Sequence, residues 1–155
     1  MKTYLVNTLV SDCMARQPIT IDCYASLAQA NELMQVNKIR RLPVLQRDKL
    51  VGIITLSDVL DAKPSDIKQP MNVALLNQFL SNIIVDLAMS REPVTVYQND
   101  TIGHAAELML DQKIGGLPVI DSTGRLVGML TESDIFRTIV RHWRKNNLIE
   151  LRVGQ

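Results

Sequence analysis

The sequence is short of the residues that most chemistry needs. Its 155 residues include two cysteines, Cys13 and Cys23, and two histidines, His104 and His142. A disulfide scaffold normally takes more cysteines in a shorter secreted chain, so both are expected to be small buried or half-buried hydrophobes. No CxxC spacing occurs, and neither histidine has a Cys or Glu pattern suited to a metal. Charge of one sign is scarce too, with 17 Lys+Arg against 16 Asp+Glu and a formal net charge of +1. A protein that coats nucleic acid usually carries a strongly basic face, so nucleic acid is not the expected partner. No apolar stretch approaches the ~18 residues that cross a bilayer, and residues 1–7 lack a signal peptide's apolar run. A cytoplasmic protein without membrane insertion is the expectation. No Walker A loop or Gly-rich dinucleotide fingerprint occurs, and no nucleophile–base pair or paired acids stand out. Neither catalysis nor a catalytic cofactor is expected.

What the chain does have is apolar residues, 46% of the total, and an internal repeat. That apolar share is enough for a real core in one domain. Residues 10–45 lie over 85–120 at a constant offset, and residues 50–59 lie over 126–135 with one further residue inserted. The slip falls in polar turns, Gln46-Arg47-Asp48-Lys49 against Asp121-Ser122-Thr123-Gly124-Arg125, where insertions are tolerated. About 20 of roughly 50 aligned positions are identical, far above chance. Two copies are too few for a solenoid, so a closed pair is expected, each copy covering the other's apolar face.

Each copy reads as β-α-β-β-α. Ile19-Thr20-Ile21 and Val94-Thr95-Val96 alternate as short strands opened by a proline. Ser26 and Thr101 suit helix N-caps, followed by Leu27, Ala30, Leu33, Met34 and by Ile102, Ala105, Leu108, Met109 at helical spacing. Leu42-Pro43-Val44-Leu45 and Leu117-Pro118-Val119-Ile120 are buried-strand runs, begun by their prolines. A turn leads to Leu50-Val51-Gly52-Ile53-Ile54 and Leu126-Val127-Gly128-Met129-Leu130, each entering a second helix through a Thr. Residues 61–66 read as a loop. A linker helix is expected from apolar residues at 74–87, and an amphipathic helix over 136–148 with a solvated basic face. The expected divisions are residues 1–60, the linker 61–84 and residues 85–155.

Four motifs occur twice in the same order: Met-(x)3-Pro-h-Thr-h (h, hydrophobic), Ala-x-x-Leu-Met, Lys-Ile-x-x-Leu-Pro-Val and Leu-Val-Gly-h-h-Thr-x-Ser-Asp. With these the chain resembles a tandem pair of CBS domains, the arrangement called a Bateman module. The resemblance covers residues 10–60 and 85–140. It implies an α+β fold in which two motifs pack as a pseudo-twofold pair with two related clefts. It implies binding of an adenosyl ligand (AMP, ADP, ATP or S-adenosylmethionine) as a regulatory signal for an unknown partner protein, and it implies a homodimer. A ligand-free interaction module is the alternative, and a nucleic-acid accessory built on the basic tail is a weaker one.

The site residues follow from both sources. Thr55-Leu56-Ser57-Asp58 and Thr131-Glu132-Ser133-Asp134 sit at strand-to-helix junctions. Thr-x-x-Asp is close to a capping box, and capping alone explains it. A helix N-terminus also offers N–H groups to a phosphate, and a carboxylate there can accept ribose hydroxyls. The resemblance assigns Thr55, Asp58, Thr131 and Asp134 to ribose and phosphate, with Ser57 and Ser133 beside them. It places Thr20 and Thr95 at the base, with Pro43 and Pro118 as its wall. Gly52 and Gly128 are expected to let the ligand approach the backbone. Arg40-Arg41 precede the first proline where Gly115-Gly116 precede the second. Arginine binds phosphate through its planar fork, so the clefts are expected to be unequal, the arginine side preferring the more charged ligand.

Overall fold

In a computed structural model describing residue 5 and residues 7–62 and 72–153, with side chains to residue 147, both copies contain the β-α-β-β-α order, each preceded by a further two-residue strand. The first copy runs β1 (Ala15–Arg16), β2 (Ile21–Asp22), α1 (Leu27–Val36), β3 (Arg41–Gln46), β4 (Lys49–Thr55) and α2 (Leu56–Asp61). After α3 (Val73–Leu80) the second runs β5 (Ser90–Arg91), β6 (Val96–Tyr97), α4 (Ile102–Gln112), β7 (Gly116–Ile120), β8 (Leu126–Thr131) and α5 (Glu132–Val153). The chain forms two compact units, Pro18–Pro93 and the remainder, Met1–Gln17 with Val94–Gln155. These units are not cut where the repeats begin. The short leading strand of each copy joins the other copy's sheet, so the sheets read β2-β3-β4-β5 and β1-β8-β7-β6.

In the Pro18–Pro93 unit, β2 and β3 are parallel, and α1 supplies the crossover that a parallel pair requires. Ser26 starts α1 with a capping box: its hydroxyl accepts the Gln29 N–H at 3.2 Å, and the Gln29 side chain accepts the Ser26 N–H at 2.9 Å. Leu27, Ala30 and Met34 then fall on the buried face at helical spacing and meet Leu42, Val44, Ile54, Val59, Leu80 and Val85 in one core. The other unit repeats this with Val10, Met14, Val96, Ala105, Met109, Leu117, Val119 and Leu130.

Several expected boundaries move. The first strand of each copy holds a ladder only at Ile21–Asp22 and Val96–Tyr97, so Thr20 and Thr95 precede their strands. Pro18 has no N–H to give a ladder, and Ile19 is 37% exposed, so nothing draws the strand back to that point. The prolines do not begin the second strands: β3 starts at Arg41 and β7 at Gly116. The linker helix stops at Leu80 rather than running to 87. Beyond it, the Ile83 carbonyl accepts the Leu27 N–H at 2.8 Å and the Val85 N–H donates to Ala25 at 2.8 Å. Those bonds satisfy the start of α1 and take backbone groups that a longer helix would have used. The second helix of the second copy and the expected tail helix are one element, α5. The loop expected at 61–66 lies largely outside the described residues, as do residues 1–4 and 6. No described helix is long and apolar enough to cross a membrane.

Candidate functional site

Each unit has an end where its second strand begins and its third strand ends. Antiparallel register sets Arg41 opposite Thr55 and Pro43 opposite Ile53. The parallel pair of Ile21 with Val44 leaves Thr20 just outside the ladder at the level of Pro43. The sheet thus brings Thr20, Arg41, Pro43 and Thr55 to one end. In the other unit Gly116 lies opposite Thr131 and Pro118 opposite Met129, with Thr95 just before β6. Both prolines are buried. Proline is tolerated there because β2 reaches β3 only from Val44, and β6 reaches β7 only from Val119.

The turn from strand into helix is fixed by side chains. Asp58 Oδ2 accepts from both the Thr55 N–H and its hydroxyl at 2.7 Å, and Thr55 Oγ1 accepts the Asp58 N–H at 3.2 Å. Asp134 Oδ2 likewise accepts the Thr131 N–H at 2.8 Å and its hydroxyl at 2.7 Å. The backbone is tied as well, with Leu56 donating to the Arg40 carbonyl at 2.9 Å and Glu132 to the Gly115 carbonyl at 3.3 Å. Capping therefore accounts for the Thr and for one oxygen of each Asp. Ser57, Ser133 and Arg40 are exposed, whereas Arg41 and Gly115 are half-buried and Gly116 is buried.

The second carboxylate oxygen separates the two junctions. Arg137 Nη1 donates to Asp134 Oδ1 at 2.6 Å, one full turn along α5. The residue in the same place of the first copy is Asp61, and Asp58 Oδ1 accepts no hydrogen bond among the described residues. A carboxylate oxygen has two lone pairs. Among the described residues Asp58 thus keeps two open positions on Oδ1, and Asp134 keeps one. Sequence reasoning missed Arg137. The signal was available as a point where the two repeats diverge, Asp61 against Arg137.

The glycines serve packing rather than ligand approach. A Cβ on Gly52 would lie 2.5 Å from Met89 Sδ and 2.8 Å from the Ser90 carbonyl; one on Gly128 would lie 2.4 Å from Met14 Sδ and 3.0 Å from the Ala15 carbonyl. The space beside each is filled by a methionine and by the backbone approaching the joining strand. This corrects the expectation from sequence. Of the cysteines, Cys23 is buried and Cys13 is half-buried. Burial raises the Cys23 thiol above its ordinary pKa, and the carboxylates of Asp22 and Asp86 add to it. Cys13 Sγ receives a hydrogen bond from the Thr138 hydroxyl at 3.3 Å. Among the described residues no three His, Cys, Asp or Glu side chains gather into a metal site.

The family model of the CBS domain matches residues 10–65 and 84–141. A CBS domain-containing protein of Dictyostelium discoideum is 34% identical over 137 residues, 88% of this chain and 94% of that protein. Other curated relatives are longer, and the chain spans between 22% and 47% of three of them. Among solved structures, the CBS domain pair of protein MJ0100, crystallised with 5′-methylthioadenosine and S-adenosyl-L-methionine, superposes with a TM-score of 0.72. It is 30% identical and the match covers 87% of this chain and 98% of that one. CBSX2 of Arabidopsis thaliana in complex with AMP gives a TM-score of 0.71 at 26% identity, covering 86% and 97%. With both copies matched in sequence and the fold shared, the chain belongs to the CBS domain family and carries two copies of that domain.

Proposed function

We propose that the chain is a regulatory module that binds an adenosyl ligand at its strand-to-helix junctions and passes the binding on to a partner protein. The observation that carries this is the open Oδ1 of Asp58, beside Thr55 and Arg41 at the same end of one sheet. The cap consumes Oδ2 alone, so this carboxylate can hold the helix and still accept the two hydroxyls of a ribose. Thr20 and Pro43 flank the space a base would take, and Arg40 and Arg41 supply cations for a phosphate. In the second unit Thr95, Pro118, Thr131, Ser133 and Asp134 take the equivalent roles, with Gly115 and Gly116 in place of the arginines. Relatives of the same fold with AMP, and with 5′-methylthioadenosine and S-adenosyl-L-methionine, support the ligand class. A ligand favouring one arrangement of the module would shift the population that a partner meets. A homodimer through exposed helix residues such as Val36, Leu60 and Leu110 belongs to the same proposal.

The test is a thermal-shift panel of AMP, ADP, ATP, S-adenosylmethionine, NAD and cyclic dinucleotides on the wild type and on Asp58→Ala and Asp134→Ala. A true ligand at 100 times its Kd adds about 2.7 kcal/mol. The ligand-induced increment, not the basal melting temperature, is the readout, because each Asp also caps a helix. No increment with any adenosyl compound would leave the ligand-free interaction module as the better account.

A further inference from the structure

Among the residues of α5 whose side chains are described, Thr138 is the last buried one, and every residue from Ile139 through Asn146 is exposed. Exposure here is not that of a polar helix. Phe136 is 64% exposed, Ile139 41%, Val140 44% and Trp143 61%. At about 100° per residue these four fall on one arc roughly 100° wide. Arg137, Arg141, Arg144 and Lys145 occupy the arc beside it. Residues 135–148 contain no carboxylate. Arg137 is paired with Asp134, and Arg141, Arg144 and Lys145 have no ion-pair partner among the described residues. A shallow open groove of about 650 Å³ runs along this side from Ser133 to Arg144.

A helix with aromatic residues on one face, arginines on the next and low overall hydrophobicity is built for a boundary between water and lipid. We infer that α5 docks on an anionic lipid surface, lying on it rather than crossing it. Charge complementarity identifies the occupant. Three unpaired cations, Arg141, Arg144 and Lys145, with no acid among residues 135–148, match a sheet of phosphate and carboxylate headgroups. The apolar arc and the basic arc adjoin along residues 136–145 and are both exposed, so one flat surface can meet them together. This inference does not depend on the nucleotide site.

The chain has a single tryptophan, and it lies on the docking arc, so its fluorescence reports on the helix directly. The experiment mixes the whole chain with phosphatidylcholine vesicles, with and without about 30% phosphatidylserine. With the anionic vesicles, Trp143 emission shifts to the blue and the protein sediments with the lipid; neither occurs with neutral vesicles. The exposed-site variant Arg141→Gln/Arg144→Gln, checked for an unchanged circular dichroism spectrum, binds about thirtyfold more weakly. About 0.5 M NaCl weakens wild-type binding in the same direction. Unmoved emission with the protein left in the supernatant overturns the inference. So does a blue shift that grows with protein concentration alone, which would mark self-association. A shift produced by soluble polyglutamate but not by vesicles would overturn it in favour of an acidic protein.

Discussion

Replacing Gly52 or Gly128 by alanine tests how tightly the joining strands sit on each sheet. A new Cβ meets a methionine side chain and a backbone carbonyl in each case, and the two differ in how easily they can move. Met14 Sδ at 2.4 Å from the Gly128 position and Met89 Sδ at 2.5 Å from Gly52 are ends of flexible side chains. The Ala15 carbonyl at 3.0 Å and the Ser90 carbonyl at 2.8 Å belong to strands held by the ladders Arg16↔Gly128 and Gly52↔Arg91. Carbon contacts are normally most favourable near 3.5–4.0 Å, so the thioether must turn away and the carbonyl must be pushed. Overpacking of this kind costs about 1–3 kcal/mol. The shorter carbonyl contact puts Gly52→Ala near 2–3 kcal/mol and Gly128→Ala near 1–2 kcal/mol on that scale. For a chain of this size each kcal/mol lowers Tm by about 2–4 °C. Urea unfolding followed by circular dichroism, repeated with Met14→Ala and Met89→Ala, makes two double-mutant cycles. The Gly128/Met14 pair is expected to recover about 1 kcal/mol relative to additivity. The Gly52/Met89 pair recovers less, because its carbonyl contact remains. Strict additivity in both cycles, or Gly52→Ala within about 0.5 kcal/mol of wild type, would refute the steric argument.

Three further outcomes are expected. Arg137→Gln frees the second lone pair on Asp134 Oδ1, and since the pair's Arg137 side chain is 69% exposed the gain is that of a surface ion pair. Isothermal titration should show the affinity of the second junction for adenosine rising about two- to fivefold, with the first junction unchanged. Cys13 should react with a disulfide reagent in the native state well before Cys23, which is 1% exposed. The raised pKa of Cys23 means its thiolate population keeps growing above the pH where an ordinary thiol is fully ionised, so its alkylation rate should continue to climb there. Asp48→Gly should stabilise the chain by about 0.5–1 kcal/mol in urea, because Arg47 and Asp48 form a two-residue hairpin turn with φ of 48° and 65°.

Much of the fold is legible because its signals are local. Ser26, Thr55 and Thr101 announce helix starts since a hydroxyl can reach an N–H three residues on, and all three do so. The runs around Val44 and Val119 read as buried strands from apolar character alone. The end of the linker helix was less visible. Residues 81–87 continue an apolar pattern, yet their backbone bonds go to Ala25, Leu27 and Cys23, partners some 60 residues earlier in the chain that only folding supplies.

The sequence by itself determined the doubling, the order of elements and the Thr-x-x-Asp junctions, since repetition, periodicity and capping are written in neighbouring residues. Tertiary structure decided which sheet takes each leading strand and why Gly52 and Gly128 must be glycine. It also decided that Arg137 takes one of the two positions on Asp134 Oδ1, while Asp58 Oδ1 accepts no bond among the described residues. Each of those depends on the distance between groups that the chain brings together only on folding, and residue order does not encode such distances directly.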